Sequence, residues 1–473
     1  MAESPERPRS EPLTGEDLGF WWGDQPRQRT TMAMLLLLDR RPHSDRLRAA
    51  AWRALRAVPR LRQRVVDAPF DLARPRWEDD PSFDLDFHVR RYAVSHDDGS
   101  PEHATLADLF HTLGPIYERP FDRSRPLWEL IELDGPGPGS ALFFRLHHGV
   151  ADGVGGNAIL AALTDAEADV APEPAAADPP LGPWREEPLL RRVADALGRR
   201  VREDLERGRA VRRAAWNAIA HPSSWMTAAR VVRGLASDLA ASTDSPLSAF
   251  GPSRRLSGFD LPFEPMRKAR AALGGQMIDL MLTAVAGAVG AWHRAHGYGD
   301  VREVMTLVPI NLRPREEQGL RAGTGNRATG VMVRLPLCED DPVARFRAIH
   351  ERMAERKAQP LVEYLPVVAE VLAALPRPLF RTVSRASSQA VNLIVTNVPG
   401  VMHTRYVAGA RILAGYPFAP LAPRCPVSIA LYGYDQRLYV GIDADRAAMP
   451  DLHAFEEMLR AGFAQVVESG GIS

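Results

Sequence analysis

SALFFRLHHGVADGVGG, residues 140–156, carries the reading of the whole chain. An apolar run bounded by glycines predicts a buried strand over Ser140 to His148. Side chains alternate along a strand, so Leu142, Phe144, Leu146 and His148 share one face. The chain must then turn: Gly149, Gly153, Gly155 and Gly156 permit a tight bend and the close approach of a ligand. His147 and His148 are thereby delivered to the end of a strand, at the mouth of a glycine-rich turn. Asp152 can fold back beneath them and fix either a ring tautomer or the shape of the loop.

Imidazole suits such a place because its pKa lies near neutrality. A neutral ring can take the proton of an attacking alcohol and return it to a leaving group, a contribution of about 10²–10⁴-fold in rate. Two histidines and an aspartate could instead hold a metal. That would need a third or fourth ligand with its own supporting partners, and none is evident nearby, so no metal is expected. There is no G-x-S-x-G elbow, and neither Cys338 nor Cys425 lies in a nucleophile motif, so no covalent enzyme intermediate is required.

On either side of this stretch the pattern is mixed α/β. Before it, Thr31 to Leu38 (TMAMLLLL) predicts a buried strand, and Asp45 to Val58 a helix burying Leu47, Ala51, Leu55 and Val58. After it, six prolines between Ala171 and Pro188 exclude a regular helix or central strand and mark a linker. A helical pattern follows, with Leu190, Val193, Leu197, Val201 and Leu205 on one side. From Trp184 to Ala240 there are 12 arginines against 7 acids. This basic region reads either as a solvated face or as an amphipathic surface for anionic membrane. Further on, strands are predicted over Val301 to Ile310, Gly330 to Leu335, Val391 to Thr396, Ser428 to Tyr434 and Arg437 to Ile442. Helices are predicted over Gln276 to Ala295, Pro342 to Lys357, Leu361 to Leu375 and Pro450 to Glu468.

Interleaved strands and helices in both halves predict two α/β lobes. The division expected is a disordered tail over 1–12, a first lobe over 13–170, a linker with the arginine-rich helix over 171–260, and a second lobe over 261–473.

The 473 residues are enough for two or three cores. Lys+Arg and Asp+Glu are equal at 59 each, which points to no nucleic-acid partner. Two cysteines offer no disulfide framework and fit a reducing, cytoplasmic setting. The opening MAESPERPRSEP has no apolar signal core. The longest apolar candidate, Met277 to Trp292, is too short to span a bilayer and contains Asp279.

HHGVADG resembles the HHxxxDG motif of the coenzyme A-dependent acyltransferase superfamily, and the chain is most similar to the bacterial wax ester synthase/acyl-CoA:diacylglycerol acyltransferases. The resemblance runs from LTGEDLGFWW (13–22) to the C-terminal helix. It includes PLWE (126–129), VPINLR (308–313), Gly325-Asn326 and TNVPG (396–400). It implies two chloramphenicol acetyltransferase-like lobes with a tunnel between them, admitting acyl-CoA from one side and an alcohol from the other. It implies a fatty acyl transfer to diacylglycerol or a long-chain alcohol, from acyl-CoA or an acyl carrier protein. Acyl-CoA is a substrate, and no cofactor is implied. A non-catalytic lipid-binding protein of the same fold is the rival.

By the same resemblance His148 is the general base, His147 supports the loop with Gly149 and Gly153, and Asp152 is structural. Arg313 is the implied partner of Asp152, or else a surface arginine. Asn397, with Thr396, either lines the tunnel as an oxyanion donor or belongs to a turn. Trp128 of PLWE is expected to fill a core. One departure stands out: the family's Asn-Asp pair is Ile278-Asp279 here, which bears on the acceptor. Contact with the inner membrane face or with lipid droplets is a further expectation.

Overall fold

The computed structural model describes residues 10–26, 28–94, 105–134, 139–170, 188–220, 245–247, 251–311, 328–359, 368–388 and 390–471. Two six-stranded mixed sheets form the body of the protein. The first is built around Thr31–Leu38 and Ser140–His147, paired antiparallel with Thr31 opposite His147. Trp128–Asp134 extends it, and Val89–Tyr92 closes that edge in parallel. All eight residues of Ser140–His147 are buried, as a central strand covered on both faces requires.

The second sheet runs Ala328–Pro336, Glu303–Asn311, Leu393–Val401, Val427–Tyr434, Arg437–Asp445 and Arg254–Pro262. One face is covered by the helices Met277–Ala295, Pro342–Lys357 and Leu452–Ser469, which bury Val395, Ile429, Val440 and Ile442. Two of these helices approach closely at Gly462, where a Cβ would lie 2.5 Å from the Ala284 carbonyl oxygen. The other face meets the first lobe through rings such as Tyr416 and Tyr439, whose centroids lie 5.3 Å apart.

The expected boundaries do not follow the sheets. Arg254–Pro262, all but its last two residues assigned to the linker region, is the edge strand of the second sheet, with Arg254 ion-paired to Asp445 at 3.0 Å. Ala410–Phe418, assigned to the second lobe, leaves it and pairs with Thr31–Leu38 of the first. Ser10–Pro12, assigned to the tail, pairs with Arg76–Asp79 in a small third sheet. Strand partnership is set by non-local pairing that composition does not carry. Of the helix expected over Leu361 to Leu375, residues 361–367 lie outside the described residues, 368–372 are helical and 373–375 turn. Among the described residues no single helix is long and apolar enough to cross a membrane.

Candidate active site

The histidine loop is fixed mainly by its own backbone. The His148 N–H donates to the Thr30 carbonyl at 2.7 Å, and the Val150 N–H returns to the His147 carbonyl at 2.9 Å. The helix Gly153–Leu163 starts immediately, capped by Asp152, whose Oδ1 accepts from the Gly155 N–H at 2.8 Å. Asp152 is fully buried beneath this cap.

The two imidazoles occupy different surroundings. His147 is 2% exposed. Its Nδ1 accepts from the Gly149 N–H at 3.0 Å, and its Nε2 lies 2.8 Å from Thr30 Oγ1. An accepting Nδ1 places the proton on Nε2, which donates to Thr30; that hydroxyl in turn donates to the Phe20 carbonyl. Burial pushes the His147 pKa down to about 4. His147 is therefore a neutral, tautomerically fixed brace. His148 is half-buried, and its ring lies flat against Phe20 at 4.0 Å between centroids.

Phe20 comes from the helix Gly15–Gly23, which also sets Trp21 edge-on to His147. Thr14 and Asp17 form a capping box at its start. Asp17, fully buried, also takes Arg60 (3.2 Å) and Trp77 Nε1 (3.4 Å). Arg60 then donates to the Gly149 carbonyl at 3.3 Å. Phe20, Thr30, Asp17, Arg60 and Trp77 all escaped the sequence reading. The segment LTGEDLGFWW (13–22) carried Asp17 and Phe20 within the resemblance but gave neither a role.

The loop helix abuts the other lobe. A Cβ on Gly153 would sit 3.4 Å from Val398, and Asn157 donates to the Pro399 carbonyl. Alternation along Leu393–Val401 puts Thr396 on the same face as Val398. Asn397 falls with Leu393 and Val395, whose side chains belong to the core beneath the helices. Of the pair, Thr396 faces the first lobe. Arg313 and Gly325-Asn326 lie outside the described residues. Trp128 stacks on His88 at 4.6 Å and donates to the Leu61 carbonyl at 2.7 Å, a packing role. Asp279 caps its helix and takes His350 Nδ1 at 2.9 Å, while Ile278 packs against the second core. A small, partly polar cleft lies against the helix Gly15–Gly23, lined by Gly19, Trp22, Gln25, Gln28, Phe380 and Arg381. Among the described residues no three His, Cys, Asp or Glu side chains converge on a point a metal could occupy.

The His147 environment predicts a pH effect. Its folded pKa is depressed from 6.5 to about 4, so the unfolded chain binds the proton first as pH falls. Its contribution is fully present above pH 6.5 and is lost between 6.5 and 4, by about 3 kcal/mol. Asp443, raised to about 7, acts with the opposite sign, so the bare profile masks the effect. A difference measurement isolates it: relative to His147→Gln, the unmodified protein should lose that amount in urea unfolding as pH falls across the window.

The comparisons agree with this architecture. Residues 13–281 match the wax ester synthase/diacylglycerol acyltransferase catalytic domain, and 324–466 match the WS/DGAT C-terminal domain. A Mycobacterium tuberculosis protein named as a diacylglycerol O-acyltransferase is 33% identical over all of this chain and 95% of its own length. Another from that organism is 26% identical over 93% and 92%. The wax ester synthase/diacylglycerol acyltransferase of Marinobacter aquaeolei VT8 superposes with a TM-score of 0.64 at 19% identity, covering 98% of this chain and 100% of that one. The first condensation domain of the calcium-dependent antibiotic synthetase gives 0.61 at 17%, covering 98% and 97%. Two lobes that meet beside a histidine loop, with both family domains in order along the chain, make this protein an acyltransferase that belongs to the wax ester synthase/diacylglycerol acyltransferase family.

Proposed function

We propose that the protein moves a fatty acyl group from acyl-CoA to the hydroxyl of diacylglycerol or a long-chain alcohol, giving triacylglycerol or wax ester and free coenzyme A. The observation that carries this is the contrast within the histidine pair: a sealed, neutral His147 bracing a half-exposed His148 where the lobes meet. The alcohol proton passes to His148 as its oxygen attacks the thioester carbonyl. The C–S bond then breaks, and the same proton goes to the departing thiolate. Holding both reactants in line between the lobes removes much of the entropic barrier. The test is a mass-spectrometric product screen. Palmitoyl-CoA is offered with dioleoylglycerol, hexadecanol and ethanol, and palmitoyl pantetheine on a carrier protein serves as the rival donor. Ester from the first two acceptors with free CoA thioester is the expected result; acyl binding without ester would overturn the reading.

The reading includes a cytoplasmic lipid surface as the place of work. The helix Leu189–Ala220 carries 9 arginines against 4 acids. Ala196 packs inward on Ala68 and Ala73, while Leu190 (84%), Val201 (58%) and Leu205 (57%) stand exposed. A cationic helix with an outward apolar stripe suits anionic bilayers. The chain should sediment with phosphatidylglycerol vesicles and not with phosphatidylcholine, and Val201→Glu/Leu205→Glu should lower binding at least about tenfold, since each exchange removes apolar contact and adds a repelled charge.

A further inference from the structure

The stretch 368–388 lies in the chain between two elements of the second lobe, the helix Pro342–Lys357 and the strand Leu393–Val401, yet it packs on the first. Ala373 and Phe380 are buried in the first lobe's core, and Leu372 and Leu375 lie against it. What this stretch holds is the helix Gly15–Gly23, at both ends. At the start, the Gly15 N–H donates to Glu370 Oε1 at 2.6 Å. Near the finish, Trp22 stands edge-on to Phe380 with ring centroids 5.0 Å apart. Between the two grips, Phe20 lies flat on the His148 ring. Asp17 anchors the same helix from inside the first lobe. The strand that follows the stretch then touches the far side of the histidine loop, at Gly153 and Asn157.

Glu370 is suited to fix the start of that helix. The first N–H groups of a helix have no acceptor within it, and the backbone dipoles there favour a carboxylate. The second oxygen, Oε2, takes Arg74 at 2.7 Å, which sets the direction of the carboxylate. The Glu370 side chain is 49% exposed, so the ion pair adds little to stability. Its effect is on direction: it decides where the helix begins. Gly15 shows how close the fit is. A Cβ there would lie 2.6 Å from both the carbonyl carbon and the oxygen of Ala369, so any side chain must push the two segments apart. At Gly23, on the same helix, a Cβ meets open space. A helix moves as a rigid body, and Phe20 sits only five residues, about 7.5 Å, along it from Gly15.

We propose that Glu370 is a positioning residue for acyl transfer: through the Gly15 N–H it sets the helix that holds Phe20 against His148, and so the aim of that ring. This rests on the acyltransferase reading. A misplacement of about 1 Å at a reacting group can cost about 10²-fold in rate. Ordinary contact begins near 3.4 Å, so a methyl group on Gly15 asks for a movement of that size. The loss belongs to the chemical step, because Glu370 touches the helix and not the substrate.

The experiment compares Glu370→Ala, Glu370→Gln, Gly15→Ala and Gly23→Ala by two readouts. The first is turnover of palmitoyl-CoA with hexadecanol. Glu370→Ala and Gly15→Ala should lower kcat at least about tenfold and leave KM within about twofold. Glu370→Gln, which keeps an oxygen for the Gly15 N–H, should restore most of the rate, and Gly23→Ala should match the unmodified protein. The second readout needs no turnover: the rate at which diethyl pyrocarbonate modifies His148, followed by mass spectrometry of its peptide. That rate should rise severalfold in the two impaired variants, as Phe20 moves off the ring, and stay unchanged in Gly23→Ala. Glu370→Ala decides the matter if Gly15→Ala does not fold. Unchanged kcat and unchanged His148 reactivity in Glu370→Ala would overturn the positioning role and leave acyl transfer standing. A loss of kcat that Glu370→Gln does not recover at all would overturn it too, because the Gly15 bond would then not be the cause. No ester from the unmodified protein would overturn the acyltransferase reading itself, and the positioning role with it.

Discussion

His148→Ala should release thiol from palmitoyl-CoA about 10²–10⁴-fold more slowly than the unmodified protein, with hexadecanol present in both assays. The fold should survive. The bonds that shape the loop at this residue come from the backbone, His148 N–H to Thr30 and Val150 N–H to His147, and alanine keeps both. Among what disappears is the ring's stack on Phe20, worth about 0.5–1.5 kcal/mol in such pairs. The melting curve should therefore shift by a few degrees while turnover collapses. His147 offers the contrast. Truncating it strands the Gly149 N–H and the Thr30 hydroxyl inside the protein, so the damage there should fall on stability as well as rate. A His148→Ala protein that turns over normally would refute the assignment of the base.

The strands that could be read from the chain are those whose signal is local. Ser140–His147 and Thr31–Leu38 are continuous apolar runs, and central strands covered on both faces must be. Arg254–Pro262 was missed because its residues RRLSGFDLP neither alternate cleanly nor form an apolar run. It is a strand because Arg437–Asp445 offers it an edge, and because Asp445 neutralises Arg254. The passage of Ala410–Phe418 into the first sheet has no local trace at all. At the site, the histidines and the Asp152 cap were legible because they are contiguous. The residues that brace them come from chain positions 14 to 77, joined only by folding. Asn397 shows the limit of a motif: TNVPG identifies the segment, but the pleat decides which of its side chains faces the other lobe, and that is Thr396.

The largest effect on stability is expected at Asp17. Its carboxylate is fully buried and answers three demands together: the Thr14 cap, the Trp77 indole and the Arg60 guanidinium. Arg60 is 5% exposed, and Glu11, its other acid, is largely in solvent at 54%. Asp17→Ala therefore leaves a buried cation almost uncompensated, which costs about 3–5 kcal/mol, with about 1 kcal/mol more for the lost bond from the Thr14 N–H. Urea unfolding would measure both together. A purely structural ion pair makes a further prediction possible. Exchanging both partners for apolar groups of similar volume, Asp17→Leu with Arg60→Met, should recover much of the stability, because two desolvated charges are removed at once. Activity should not recover with it. Arg60 is the donor to the Gly149 carbonyl, and Asp17 anchors the helix that presses Phe20 against His148. The double variant should fold and still transfer acyl groups poorly, with kcat reduced more than KM is raised, because the base is present but loosely aimed. Full activity in that stable double variant would show that the cluster holds the fold without positioning the loop.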